Sequence, residues 1–175
     1  MDSLLPKSPS ITIGNDEYQY ILCSTVKLFA FFRNYTDLKK SFIDLMVQHR
    51  HHLFDLTDLA IEDYLYSKKN KKVKYCVIFN STHILSTSRI IYNTDVKDTG
   101  TISLVHTNES FRGRKLCTTN LQIIVKYAKH LNLSTLLLNV YNDNHAAIKC
   151  YTKCGFIILK QNDVEQKLYM KKMIK

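Results

Sequence analysis

Apolar positions along the chain change period from segment to segment, and each period predicts an element. Leu38, Phe42, Leu45 and Met46 recur at helical spacing behind Thr36, a candidate N-cap. Thr57, followed by Leu59, Tyr64 and Leu65, suggests a second and shorter helix. Val73 to Phe79 and His83 to Tyr92 are β-branched and aromatic runs separated by Asn80-Ser81-Thr82, the pattern of a hairpin. Thr101 to Thr107 is a third such run. After it, Leu116, Leu121, Ile124, Ala128 and Leu131 return to helical spacing. Ser134 to Val140 is continuously apolar, as expected of a strand buried on both faces. Asn144 to Cys154 reads as a helix stopped by Gly155. Phe156 to Leu159 and Leu168 to Met173 supply two last strands, and an early strand is expected near Tyr18 to Cys23.

The resulting order is a strand, two helices, three strands, helix, strand, helix, two strands. It argues for an α/β fold in which a mixed sheet carries helices on both faces. The 175 residues are enough for one domain with a proper core and contain no repeat and no Pro/Gly/Ser-rich linker. Both prolines, Pro6 and Pro9, fall in residues 1–10, expected to be a loose lead-in to a single domain over residues 11–175.

Composition narrows the class. With 45% hydrophobic and 23% charged residues, the chain is balanced like an ordinary globular protein. Its five cysteines are odd in number and scattered through apolar stretches, which reads as reduced core thiols. The start, MDSLLPKSPS, lacks the order of a signal peptide, and no apolar run approaches the roughly 18 residues that span a bilayer. A soluble, intracellular, cytoplasmic protein without membrane contact is expected. A net charge of +10 favours polyanions, but the basic residues are scattered, with clusters only at Lys68 to Lys74 and Lys167 to Lys175. These read as solvated loops and a solvated tail, not as a specific nucleic-acid site. His49, His51 and His52 have no cysteine or acid at ligand spacing, so no metal is expected.

Two segments carry candidate chemistry. In the first, the strand ending at Thr107 feeds through Phe111-Arg112-Gly113-Arg114-Lys115-Leu116 into a helix. Free N–H groups and the positive end of the dipole at a helix start suit a diphosphate. Gly113 permits close backbone approach, and Arg112, Arg114 and Lys115 add charge. An ordinary exposed loop is the competing reading. In the second segment, Asn144 is a good N-cap, Ala146 and Ala147 keep the first turn slim, and Tyr151 lies seven residues on, near the same helical face. Taken alone, Tyr151 is equally a core tyrosine with a satisfied hydroxyl.

Together the two segments resemble the GNAT superfamily of acetyltransferases. The family's loop pattern, Arg/Gln-x-x-Gly-x-Gly/Ala, falls on Arg112-Gly113-Arg114-Lys115-Leu116-Cys117, with both glycines replaced, by Lys115 and Cys117. The later pattern, Asn-x-x-Ala-x-x-x-Tyr-x-x-x-Gly-Phe, is met in full by Asn144, Ala147, Tyr151, Gly155 and Phe156.

The resemblance implies a mostly antiparallel mixed sheet, splayed at an acetyl-CoA site, and transfer of an acetyl group to a primary amine of a small molecule or peptide. It implies that the strand at Val105 and Thr107 holds the pantetheine arm, and that the loop and helix start from Arg112 through Gly113, Arg114, Lys115, Leu116, Cys117 and Thr118, with Asn144 and Tyr151, hold the rest of acetyl-CoA. Tyr151 is implied as general acid toward the departing thiolate. The glutamate that many relatives carry early in the third strand is replaced by Thr101. His106 and Glu109 are the available substitutes as base, with a hydrogen-bonded sheet histidine and a solvated loop acid as the plainer readings. Cys150 and Cys154 are expected as buried thiols flanking Tyr151, more than as a redox pair. A homodimer is compatible with all of this. The rivals are a GNAT-fold module that binds without catalysis and, further off, a basic nucleic-acid-binding protein.

Overall fold

In the computed structural model, which describes residues 8–48, 72–92 and 96–174, strand and helix periods resolve into one sheet with two helical layers. The strands are β1 (Ser10–Ile13), β2 (Asp16–Cys23), β3 (Lys72–Phe79), β4 (Ile84–Tyr92), β5 (Thr99–Thr107), β6 (Thr135–Tyr141), β7 (Ile157–Asn162) and β8 (Lys167–Met173). The helices are α1 (Thr25–Asn34), α2 (Thr36–Gln48), α3 (Leu116–His130) and α4 (His145–Lys153). The sheet runs β1-β2-β3-β4-β5-β6-β8-β7. Every neighbouring pair is antiparallel except β5 and β6, which are parallel and joined by a crossover through α3.

Alternation along the central strands decides which layer each residue serves. Val73, Tyr75 and Val77 of β3 pack with Leu28 and Phe32 of α1 and Phe42 of α2 on one face. Cys76 of β3, Ile90 of β4 and Ile102 of β5 point the other way and pack with Leu121, Ile124 and Ala128 of α3. Burying one large apolar side chain contributes about 1.5–3 kcal/mol, so these two layers supply most of the driving force. Asn120 is a polar exception in the α3 layer: it is fully buried, accepts from Ser88 Oγ, and donates through Nδ2 to Cys76 O at 3.3 Å. It pins α3 to β3 and β4 at one register.

Several expectations shift. Helix α1 was not expected from the sequence; Phe and Val are indifferent helix formers, and tertiary burial of Leu28, Phe29, Phe31 and Phe32 decides the matter. Ordered structure begins before residue 11, because β1 starts at Ser10 and Pro9 O accepts from Tyr20 N–H at 3.1 Å. Thr36 is the first helical residue and not the cap, since Lys39 N–H bonds to Tyr35 O at 2.9 Å. Strand β6 is not sealed on both sides: Leu136, Leu138 and Val140 are buried while Asn139 is exposed. Lys167, Lys171 and Lys172 belong to strand β8 (Lys167–Met173), as the strand expected at Leu168 to Met173 requires, and not to a solvated tail. The helix expected around Thr57 to Leu65 and the histidines at 49, 51 and 52 lie outside the described residues. Among the described residues no helix is long and apolar enough to cross a membrane, and no group of three His, Cys, Asp or Glu side chains gathers at metal-binding range.

Asn120→Ala should lower stability by about 1–3 kcal/mol, because Ser88 Oγ and Cys76 O lose their partner inside the core. Urea denaturation of this variant, and of a Ser88→Ala/Asn120→Ala pair that removes the orphaned hydroxyl and recovers part of the loss, checks the prediction.

Candidate functional site

The sheet opens where β5 leaves β6. The two strands pair only at Thr99 with Thr135, Gly100 with Leu136, and Thr101 with Leu137, after which β6 continues alongside β8 alone. Gly100 sits at this junction because a Cβ there would stand 2.9–3.0 Å from the side chains of Ile90, Leu133 and Leu136. Beyond Thr101 no strand among the described residues lies beside β5 on that side. The register of β5 against β4 slips between Thr87 and Arg89, and Leu104 opposite the slip has φ 51, so β5 is bulged there. Side chains of β4 hold the bulged strand: Thr87 Oγ1 donates to Leu104 O at 3.0 Å, and Ser86 Oγ to His106 O at 2.9 Å. Buried Arg89 donates through Nε to Ser103 Oγ at 3.0 Å. Val105 packs toward the α3 layer, and His106 is half-buried across from Thr87.

The loop after β5 places a helix start beside this opening. Asn108 Oδ1 accepts from Ser110 N–H at 3.1 Å and starts a short 3-10 turn over Glu109–Phe111. Arg112 pairs with Glu109 at 3.0 Å, both side chains more than half exposed. Arg114 lies 3.8 Å from Asp16 of β2 and 5.3 Å from the centre of the Phe111 ring. Gly113 has φ 81, and Lys115, at the N-cap of α3, has φ 60 and ψ 10. That left-handed conformation is where glycine is at ease and a side chain costs about 1–2 kcal/mol. Lys115 makes no side-chain cap bond, and the first helical bond runs from Thr119 N–H to Lys115 O at 3.0 Å. The N–H groups of Leu116, Cys117 and Thr118 therefore have no partner within the helix. They stand at the positive end of a 15-residue helix and are fitted to hold an anion.

Helix α4 approaches the same place. Asn144 Oδ1 accepts from Ala147 N–H at 3.1 Å, so the asparagine serves as the expected cap. The helix ends at Gly155, whose φ of 82 suits a glycine. Tyr151 is 5% exposed and packs against Phe156. Burial, with a smaller contribution from neighbouring Cys154, holds its phenol well above the usual tyrosine range, so it is neutral at every physiological pH.

The cysteines require a correction. Cys117, in the first turn of α3, and Cys150, next to Tyr151, form a disulfide and are not reduced core thiols. They are 33 residues apart, and only the tertiary approach of α3 to α4 brings them together. Nor are Cys150 and Cys154 two buried thiols flanking Tyr151: Cys150 is bonded, both are only half-buried, and Cys154 Sγ donates to Thr118 O at 4.0 Å. Cys23 and Cys76 do remain buried thiols, with burial pushing Cys23 up to about 12.

The structure thus gathers the uncapped turn at Leu116 to Thr118, the Cys117–Cys150 bond and Tyr151. Glu109 is engaged by Arg112. Thr101 is exposed and sits where β5 and β6 still pair. Leu104, Arg89 and Asp16 drew no notice in the sequence, and nothing in their local spacing marks them.

A model of the acetyltransferase (GNAT) family matches residues 35–156. No curated protein sequence matches the chain. Among solved structures, an N-acetyltransferase from Staphylococcus aureus Mu50 superposes with a TM-score of 0.68 at 14% identity, covering 91% of this chain and 100% of that one. The PaiA N-acetyltransferase of Thermoplasma acidophilum, in complex with coenzyme A, gives 0.59 at 11% identity over 89% and 99% of the two chains. A spermidine N-acetyltransferase of Vibrio cholerae, in complex with CoA and spermine, gives 0.63 at 12% identity over 89% and 95%. At these identities the likeness establishes the fold.

Substitutions at two positions probe the helix starts. Lys115→Gly relieves the left-handed side chain and gives back part of the gain as chain entropy, so stability should rise by about 0.5–1 kcal/mol. Asn144→Ala removes the cap of α4 and should cost about 0.5–2 kcal/mol, with Asn144→Asp close to the parent. Thermal unfolding of the three variants reads both effects.

Proposed function

The chain belongs to the GNAT acetyltransferase family, and on that footing we propose that it is an N-acetyltransferase using acetyl-CoA to acetylate a primary amine of a small molecule or peptide. The observation that carries this is the parted β5–β6 edge together with an uncapped α3 start that is bonded through Cys117–Cys150 to the residue preceding a buried, neutral Tyr151. The residues fit such a ligand in kind: backbone N–H groups from Arg114 to Thr118 would receive a diphosphate, and the free edge of β5 around Val105 and Thr107 would bond an amide-containing arm. Acetyl-CoA, when bound, supplies a thioester whose carbonyl carbon is open to attack by an amine.

The chain's own groups divide the proton work. Tyr151 stays protonated and holds a proton for a leaving thiolate. An acceptor amine with a pKa of about 10.4 must first lose a proton at pH 7. His106, on β5, is assigned to receive it directly or through a water, since Glu109 is occupied by Arg112. The net charge of +10 repels polycations, which favours an amine carried on a neutral or acidic acceptor over a polyamine.

Acetyl-CoA at 100 times its Kd should stabilise the fold by about 2.7 kcal/mol, visible as a raised Tm; no shift at millimolar ligand would sink the reading. Tyr151→Phe keeps the ring and removes the donor. It should lower kcat by about 100-fold while acetyl-CoA affinity stays within a few fold, and unchanged kcat would leave Tyr151 a packing residue. The pH profile is a separate check. A phenol raised above its ordinary value of 10.0 is fully protonated below that value, so kcat/KM should climb with pH as base and amine deprotonate and show no descending limb below pH ~10 from loss of the acid. A descending limb between pH 8 and 9.5, roughly, that vanishes in Tyr151→Phe would contradict the burial argument.

A further inference from the structure

The Cys117–Cys150 disulfide lies at the proposed cofactor site, between the start of α3 and the residue before Tyr151, and has no part in the chemistry proposed there. Cys117 is the second residue of α3, within the turn whose N–H groups are free, and Cys150 directly precedes Tyr151. The bond therefore joins the first turn of α3 to α4 beside Tyr151. Other ties between them there are weak: Thr118 Oγ1 to Cys150 Sγ at 3.8 Å and Cys154 Sγ to Thr118 O at 4.0 Å. The start of α3 also has no side-chain cap and sits on a left-handed lysine. Both bonded cysteines are partly exposed, unlike Cys23 and Cys76. Reagents reach exposed disulfides, and these are the labile ones.

We propose that the Cys117–Cys150 disulfide is a redox tie on the cofactor site. Oxidised, it holds the first turn of α3 against α4 in the arrangement that binds; reduced by a dithiol, it lets the two helices part and weakens the grip on the cofactor. The inference rests on the acetyl-CoA reading above and adds a regulation of that same site. The chemistry balances as a two-electron exchange. One thiolate of the dithiol attacks a sulfur of the pair, the Cys117–Cys150 bond breaks, and the released cysteine takes up a proton. The second thiol of the reagent then closes its own disulfide and frees the other cysteine. Cys154 does not compete as an internal attacker, because burial keeps it protonated and its sulfur is turned to Thr118 O.

The test measures thiols and binding separately. Alkylation of the unfolded, oxidised protein should label three cysteines, and five after treatment with dithiothreitol. Desulfo-CoA, which has no thiol to disturb the pair, is titrated calorimetrically into both forms. Its Kd should rise about five-fold on reduction, as for a site competent in a fifth of molecules. Cys117→Ser and Cys150→Ser, with folding verified by circular dichroism, should bind like the reduced parent and ignore the dithiol, whereas Cys154→Ala should keep the full response. Five labelled cysteines without reductant, or equal Kd values in the two forms, would overturn the tie. Failure of desulfo-CoA to bind either form would instead overturn the acetyl-CoA reading, and the tie with it.

Discussion

Backbone groups inside a sheet need partners, and the parting of β5 from β6 after three residue pairs is the constraint from which the site follows. Each strand is committed elsewhere. β6 pairs with β8 along its whole length, from Thr135 opposite Met173 to Tyr141 opposite Lys167, and β5 stays with β4 through a bulge. Those bonds use the outer edges of the two strands, so the facing edges of β5 and β6 are left open beyond Thr101 and Leu137. Gly100 allows the strands to approach at the closed end, and β5 carries its bulge, at Leu104, beyond that end. An extended polar ligand is the natural occupant of such a gap, because it supplies the hydrogen bonds that a neighbouring strand would have made.

Charge plays a different part from the one composition suggests. Of the basic side chains in the loop, Arg112 is held by Glu109, and Arg114 by Asp16 and the Phe111 ring. These contacts shape the loop. The capacity for an anion rests on backbone N–H groups at the start of α3, whose orientation is fixed by helix geometry and needs no side-chain ordering. Lys115 shows the same priority: it keeps the left-handed backbone that a glycine would adopt, at some cost, so the loop retains its course without the glycine.

What was legible in the sequence was local. The Asn144 to Phe156 segment could be read because cap, tyrosine and terminal glycine all lie within one helix, and the strands from Val73 onward could be read from their period. Helix α1 was not legible, since Phe29, Phe31 and Phe32 are helical only because a sheet lies beneath them. The Arg114–Asp16 pair and the Cys117–Cys150 bond depend on elements far apart in the chain, and nothing in their spacing announces them. The bulge at Leu104 has no marker at all, because a leucine at positive φ is set by the strands around it.

Burial of Tyr151 also determines where the remaining chemistry has to be. A phenol excluded from water resists ionisation, so Tyr151 is suited to giving a proton and unsuited to taking one. On the proposed reading the base comes from another element, and His106 on β5, beside the opening between β5 and β6, is the residue assigned to it. Tyr151 and His106 stand on elements anchored differently: α4 is tied to α3 by a covalent bond, whereas β5 is held to β4 by Thr87 and Ser86. On that reading, a change that loosens α4 would disturb the proposed acid and the proposed cofactor-binding helix together while leaving the strand of the proposed base in place, and a change in β4 would do the reverse.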